Sequence, residues 1–170
     1  FDSLNSFCSC FIKNAPRFAR RSFVSGYQKL RKSSGLMMGD VVEVFFKPGC
    51  EEMGGIITNN KAAFTTVLNG AVPLPSSMAN SASALVGTSD VMLDDDLTVT
   101  MEIRRPAASL SDGMGEMARM FVNGMILEEL EGADKLNCVI DGESMELVRG
   151  VDYWGSASAR AAGEGKIAWA

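Results

Sequence analysis

The residues able to do chemistry in this chain are few, and their types are restrictive. Among 170 residues there are four cysteines (Cys8, Cys10, Cys50 and Cys138) and no histidine. Without histidine the chain has no Ser-His-Asp or Cys-His nucleophile system, no His-ligated zinc and no ordinary general base near neutral pH. Cys8 and Cys10 are separated by one residue, which is not the two-residue spacing of zinc or redox pairs. Four cysteines permit disulfides, but the chain is long for a disulfide-built fold, and reduced thiols are expected. Cys50 stands in the stretch VVEVFFKPGCEEMGG, Val41 to Gly55. A β-branched apolar run meets Pro48-Gly49, and the thiol follows at the end of the strand, where side chains are exposed. The competing expectation is an ordinary buried cysteine. Glu51 and Glu52 come directly after it, and adjacent carboxylates disfavour the thiolate. That counts against a nucleophile or redox catalyst and is less of a handicap for a point of covalent attachment.

The other constellations are weaker. Asp94-Asp95-Asp96 offers oxygen ligands, but consecutive residues at a strand entrance point in alternating directions, so at most two converge on one cation. A solvated turn is expected there. GMGEMA, from Gly113, has neither a preceding strand nor a third spaced glycine and reads as a helix start. A serine nucleophile would need lysine or a carboxylate as base, and no motif supplies one. The chain is expected to be non-enzymatic.

Charge is divided unevenly. Residues 1–35 carry Lys13, Arg17, Arg20, Arg21, Lys29, Arg31 and Lys32 against Asp2 alone, a charge of +6, while nine basic and twenty acidic residues leave the remainder at −11. This is a basic arm on an acidic body. The body would repel nucleic acid, so an acidic protein surface is the expected partner, bound through Arg17, Arg20, Arg21, Lys29, Arg31 and Lys32. The first residue is Phe, and a processed or trimmed chain is expected. The arm is rich in Arg and Ser like an organelle transit peptide, yet is read as part of the mature protein. No apolar run approaches the roughly 20 residues of a membrane span.

These residues need elements to position them. Asn14-Ala15-Pro16 can open a helix, and Ala19, Phe23, Tyr27 and Leu30 recur at helical spacing until Ser33-Ser34-Gly35. Val41–Lys47 predicts a first strand and Ile56–Thr58 a second short one. Ala62–Leu68 fits a strand or a short helix. Residues 69–87 predict a long loop with one helical turn. Leu97, Val99, Met101 and Ile103 alternate with Thr98, Thr100, Glu102 and Arg104, the clearest period of two in the chain. Gly115–Glu131 predicts the main helix, with Met117, Phe121 and Met125 on one face, broadened by Ala118, Val122 and Ile126 so that the helix is well buried, and Gly132 as its stop. Two apolar runs about Asp141-Gly142 predict a hairpin. The tail holds Tyr153, Trp154 and Trp169 without a firm pattern. The fold class expected is α+β: a small antiparallel sheet packed with one main helix, preceded by a basic helical N-terminal arm. Residues 1–35 form the arm and 36–170 the domain.

Four pieces in this order carry a resemblance: strand Val41–Phe46, KPGC (Lys47–Cys50), SDVMLDDDLTVTMEI (Ser89–Ile103) and the helix Gly115–Glu131. The arrangement resembles the small α subunits of cryptophyte phycobiliproteins, and looks more like the related scaffolding proteins of red-algal phycobilisomes. The resemblance covers about half the chain and rests on the order of elements and one Gly-Cys dipeptide. The longer loop after Cys50, the basic arm, the hairpin tail and Lys47-Pro48 depart from the α-subunit pattern. It implies a scaffold or linker that docks phycobiliprotein discs or rods, with phycobiliprotein α and β subunits and other linkers as partners. It implies a place on the stromal side of the thylakoid in a chloroplast, peripheral to the membrane. It also implies a bilin, of the phycoerythrobilin type, for which Cys50 is the candidate thioether. Cys50 either carries that pigment or preserves the place where relatives carry one. Asp94–Asp96, Lys47, Arg104 and Arg105 are the groups that could meet pyrrole nitrogens and propionates. A structural subunit of another organellar complex, respiratory or ribosomal, would account for the arm equally well.

Overall fold

Alternation over Leu97–Ile103 becomes the inner strand of a four-stranded sheet in the computed structural model, which describes residues 16–47, 55, 60–68, 70, 72–94, 97–140 and 142–163. In chain order the elements are α1 (Pro16–Ser33), β1 (Glu43–Lys47), α2 (Lys61–Val67), β2 (Leu74–Pro75), a 3-10 turn (Ser76–Met78), β3 (Leu85–Asp94), β4 (Leu97–Arg104), β5 (Ser109–Leu110), α3 (Glu116–Asn123), α4 (Leu127–Gly132), β6 (Lys135–Ile140), β7 (Glu143–Val148), β8 (Tyr153–Trp154) and α5 (Ala157–Gly163). The class is α+β. The expected strand at Ile56–Thr58, the turn Pro48–Cys50 and the acids Asp95 and Asp96 lie outside the described residues.

The sheet runs β2-β1-β4-β3. β4 is antiparallel to both neighbours, with Phe45 opposite Glu102 on one side and Asp90 opposite Thr100 on the other. β2 is parallel to β1, with Leu74 beside Phe45. The sheet is therefore mixed where an antiparallel one was expected. The reason is the connection: the chain leaves β1, passes through α2 and returns in the same direction, as a helical crossover requires. α2 decides between strand and helix for residues 62–68, and its Phe64 and the following Leu68 are buried against α1 and the sheet.

Both faces of β1 are covered. Val44 and Phe46 point into a cluster with Ala19, Phe23, Tyr27 and Leu30 of α1 and with Val91, Leu93, Val99, Met101 and Ile103 of β3 and β4. Phe23 meets Phe46 and Phe64 edge-on, with ring centroids 6.4 and 5.3 Å away. Phe45 points the other way, towards Leu74 and the α5 residues Ala157 and Ala161. Complete burial of a residue such as Phe23 or Phe46 contributes about 1.5–3 kcal/mol, which makes this α1–sheet cluster the main source of cohesion.

A second cluster holds Ala118 and Val122 of α3, Leu130 of α4, Leu136 and Cys138 of β6, Leu147 of β7 and Tyr153 of β8. The β6–β7 hairpin forms as its sequence predicts, with Gly142 at φ 84° in the left-handed region its turn requires. Tyr153 is fully buried and donates its hydroxyl to the Ala133 carbonyl at 2.7 Å.

The single helix expected over Gly115–Glu131 is two. α3 ends at Asn123, where the Gly124 amide turns back to Met120 and Phe121, and Ile126 is extended (φ −75°, ψ 139°) before α4 begins. Gly124 is a weak helix residue and serves as the cap. Within α3, before the break, Ala118 and Val122 are buried, whereas Met117 and Phe121 are exposed. The helix that packs on the sheet is α1.

Candidate functional site: the basic helix and the groove beside it

α1 contains six basic residues and no acid in PRFARRSFVSGYQKLRKS. Pro16 is at its first position, where the missing amide hydrogen costs nothing. Its apolar stripe is held down by the sheet, so the remaining arc must face outward. Arg21, Lys29 and Lys32 are exposed and Arg20 is half-buried. Among the described residues none of these four forms an ion pair. Arg17 lies in the first turn of the same helix. The helix dipole favours anions at this end and cations at the other, by about 0.3–1 kcal/mol. Lys32, in the last turn, is favoured by the same dipole.

Arg31 is employed differently. Its Nη1 donates to the Tyr27 hydroxyl at 2.9 Å and its Nη2 to the carbonyls of Met37 and Asp40. The guanidinium lies 5.7 Å from the Tyr27 ring centroid. Arg31 thus fastens the turn after α1, and that turn is tied further by the Met37 amide donating to Asp40 Oδ2 at 2.7 Å. The other basic residues share the helix, whereas Arg31 is half-buried and hydrogen-bonded into this corner.

The helix lies over β3, the outer strand of the sheet. A β-carbon on Gly26 would stand 2.5 Å from Val91 Cγ2, and one on Gly87 would stand 2.5 Å from Ser34 Oγ and 3.1 Å from Leu30 Cδ1. These two approaches show that α1 runs antiparallel to β3 and directly above it. A groove follows the outer side of this pair. Phe18, Arg21, Ser22, Ser25, Gly26 and Lys29 line one wall and Ser89 to Met92 the other. Phe18 and Met92 are 61% and 64% exposed, large apolar side chains at the mouth of a basic groove.

Among the described residues Glu43 is the buried acid, 5% exposed beside Phe45 on the face covered by α5. Its Oε1 accepts the Ser158 amide hydrogen at 3.0 Å. Burial pushes its carboxyl above the ordinary value of 4.5, and the hydrogen bonds from Ser158 and Ala157 pull partly the other way. It joins β1 to α5. The signal for it in the sequence was a glutamate between Val42 and Val44 in a strand without clean alternation, the pattern of a strand covered on both faces.

Of the groups that could meet a bilin, Lys47 and Arg104 both reach Glu102, whereas Arg105 pairs with Asp40. Arg104 is bound to Glu102 at 3.0 Å and to the Ser83 carbonyl at 3.1 Å, and Arg105 pairs with Asp40 at 3.6 Å. Lys47 is largely exposed, 4.0 Å from Glu102. Asp94 ends β3 opposite Leu97, where β4 begins, while Arg104 closes β4 at its other end. Seven residue steps separate the two ends, roughly 24 Å of strand. Cys50, together with Cys8 and Cys10, lies outside the described residues. Cys138 is a buried free thiol in the hairpin cluster.

No protein-family model matches the chain, and no curated protein matches it in sequence. Among the described residues no helix is long and apolar enough to cross a membrane.

Proposed function

We propose that the protein is a non-enzymatic scaffold or linker subunit that docks onto an acidic protein surface through the outward face of α1, in an assembly of the phycobilisome type. The carrying observation is a helix with six basic residues and no acid, anchored by its apolar stripe and presenting Arg20, Arg21, Lys29 and Lys32 without ion-pair partners among the described residues. A rigid, unneutralised array of this kind suits recognition of carboxylates and accelerates encounter with an acidic partner. The antenna assignment rests on the resemblance in sequence alone, the order of Val41–Phe46, KPGC, the acidic stretch Ser89–Ile103 and the helical segment after Gly115.

The test is binding of the purified chain to phycobiliprotein discs across a salt series. Affinity is expected to fall steeply between low and physiological ionic strength, because the charges are exposed and the screening length shrinks to about 8 Å. The variant Arg20→Gln/Arg21→Gln/Lys29→Gln/Lys32→Gln should bind weakly and with little salt dependence. Equal binding by the variant would overturn docking through α1. A denatured chain that keeps a visible absorbance band, lost on Cys50→Ser, would extend the reading to a covalent bilin; a colourless chain would confine it to scaffolding.

A further inference from the structure

We infer that the free edge of β3 takes up an extended, acidic segment of a partner as a fifth strand beneath α1. The inference rests on the docking reading and adds the form the partner must take. Among the described residues β3 pairs only with β4 and stands last in the sheet. Among the described residues, no other backbone hydrogen bond reaches Val86–Leu93 from outside the sheet. An added strand would lie about 4.8 Å beyond β3. Because α1 sits over β3 and not over the middle of the sheet, its outer flank overhangs that position. The four consecutive residues Ser89 to Met92 line the groove. Neighbours in a strand point to opposite faces, so a wall made of all four is the strand's edge.

The overhanging flank selects the occupant. Arg21 and Lys29 are two turns apart on α1 and exposed, with Ser22 and Ser25 between them. Side chains of an added strand that point towards α1 meet these two cations and hydroxyls. Those that point away lie beside Met92, Thr88 and Asp90. Asp90 accepts a hydrogen bond from Thr100 at 2.7 Å on that lower face and disfavours a second acid there. The matching segment therefore carries carboxylates at alternate positions, with neutral or apolar residues between them. Phe18 and Met92, exposed at the mouth, supply apolar contact. Main-chain pairing gives affinity and the alternate side chains give selectivity, as in other strand-addition complexes.

The probe is an eight-residue peptide, Glu-Thr-Glu-Val-Glu-Thr-Glu-Thr, blocked at both ends and labelled for fluorescence anisotropy against the full chain. Two further peptides have the same sequence with alternate amides N-methylated, one on each edge. N-methylation removes backbone donors and leaves charge intact. One of the two is expected to bind at least about tenfold more weakly than the parent peptide. Arg21→Gln/Lys29→Gln, both surface changes, should weaken the parent peptide about fivefold or more at low salt. Hydrogen exchange should slow within residues 85–94 when it binds. If both N-methylated peptides bind as the parent does, or protection appears only elsewhere, strand addition is overturned while charge-driven docking on α1 stands. If the discs also bind the quadruple variant as tightly as the wild type, the docking reading falls with it.

Discussion

Replacing Gly26 with alanine places two known effects in opposition, and the structure decides which prevails. In a helix interior alanine is more favourable than glycine by about 1 kcal/mol. At this position, however, the new β-carbon would stand 2.5 Å from Val91 Cγ2, 3.1 Å from Cγ1 and 3.4 Å from Cβ. Carbon atoms in contact sit about 3.5–4.0 Å apart, so the nearest pair overlaps by roughly 1 Å. Val91 is buried and β-branched, and turning it off its rotamer costs about 0.5–1.5 kcal/mol. Lifting α1 instead would open the contacts of Phe23 with Phe46 and Phe64. Overpacking of this kind costs about 1–3 kcal/mol. Gly26→Ala should therefore destabilise by about 0–2 kcal/mol despite its better helix propensity. Val91→Ala alone should cost about 1–2.5 kcal/mol from lost burial and the cavity left behind. In the double variant the alanine methyl occupies space vacated by the valine, so the pair should be about 1–3 kcal/mol more stable than the sum of the two singles. Urea unfolding followed by far-ultraviolet circular dichroism on the four proteins measures this. If Gly26→Ala gains the full propensity term, or the two changes add within about 0.5 kcal/mol, the close seating of α1 on β3 is wrong.

Other consequences can be checked on the same footing. Glu43 has a folded pKa above its unfolded one, so its contribution is fully present below about pH 4.5 and is lost as pH rises through the folded value. Glu43→Gln removes that loss, and its stability relative to wild type should increase between pH 4 and pH 7; a constant difference in urea midpoints would contradict the burial argument, with Arg31, Asp40, Arg105 and Glu131 lining the adjacent groove in both proteins. Asn80→Ala should cost about 1–3 kcal/mol in the same assay, because its Nδ2 serves the Ala108 carbonyl and Asn123 Oδ1 while its Oδ1 takes the Ala82 amide. Arg160→Lys should cost about 1–2 kcal/mol and alter the near-ultraviolet dichroism of Trp154, since Arg160 donates to the Leu110 carbonyl at 2.7 Å and stands 5.3 Å over the indole. Asp112→Ala should change urea stability by less than about 0.5 kcal/mol, because the Asp112 carboxylate paired with Arg160 is 90% exposed.

Where one face of an element meets the core and the other meets water, the sequence was readable. Ala19, Phe23, Tyr27 and Leu30 are all buried, and Val99, Met101 and Ile103 are buried opposite Thr98, because period and burial coincide. β3 was hidden within an expected loop and acidic run. Irregularities at Leu85/Gly87 and Met92/Asp94 shift its register, so Val86, Val91 and Leu93 do not keep one uninterrupted period of two. The helix break was hidden because Met117, Phe121 and Met125 have helical spacing whether or not the helix continues; Gly124 was the only local sign. The basic character of α1 could be counted from its residues. The groove could not, since Phe18, Ser22 and Ser25 acquire a role only when β3 is placed beneath them. Nor could Arg31, whose partners at Met37 and Asp40 exist only once the chain turns back after the helix.

The two ends of the sheet differ in a way that limits what it can build. At one end β2 is two residues long and finishes in Pro75, which has no amide hydrogen to offer. At the other, β3 is ten residues long. Among the described residues the sheet is thus a unit with a valence of one. Two copies joined β3 to β3 would form a closed pair with no second long edge to extend, and each would bring Arg21 and Lys29 against their own likeness. A different strand, once seated, terminates growth in the same way, so the exposed edge carries little of the risk of fibre formation that a strand of its length brings to a sheet open on both sides.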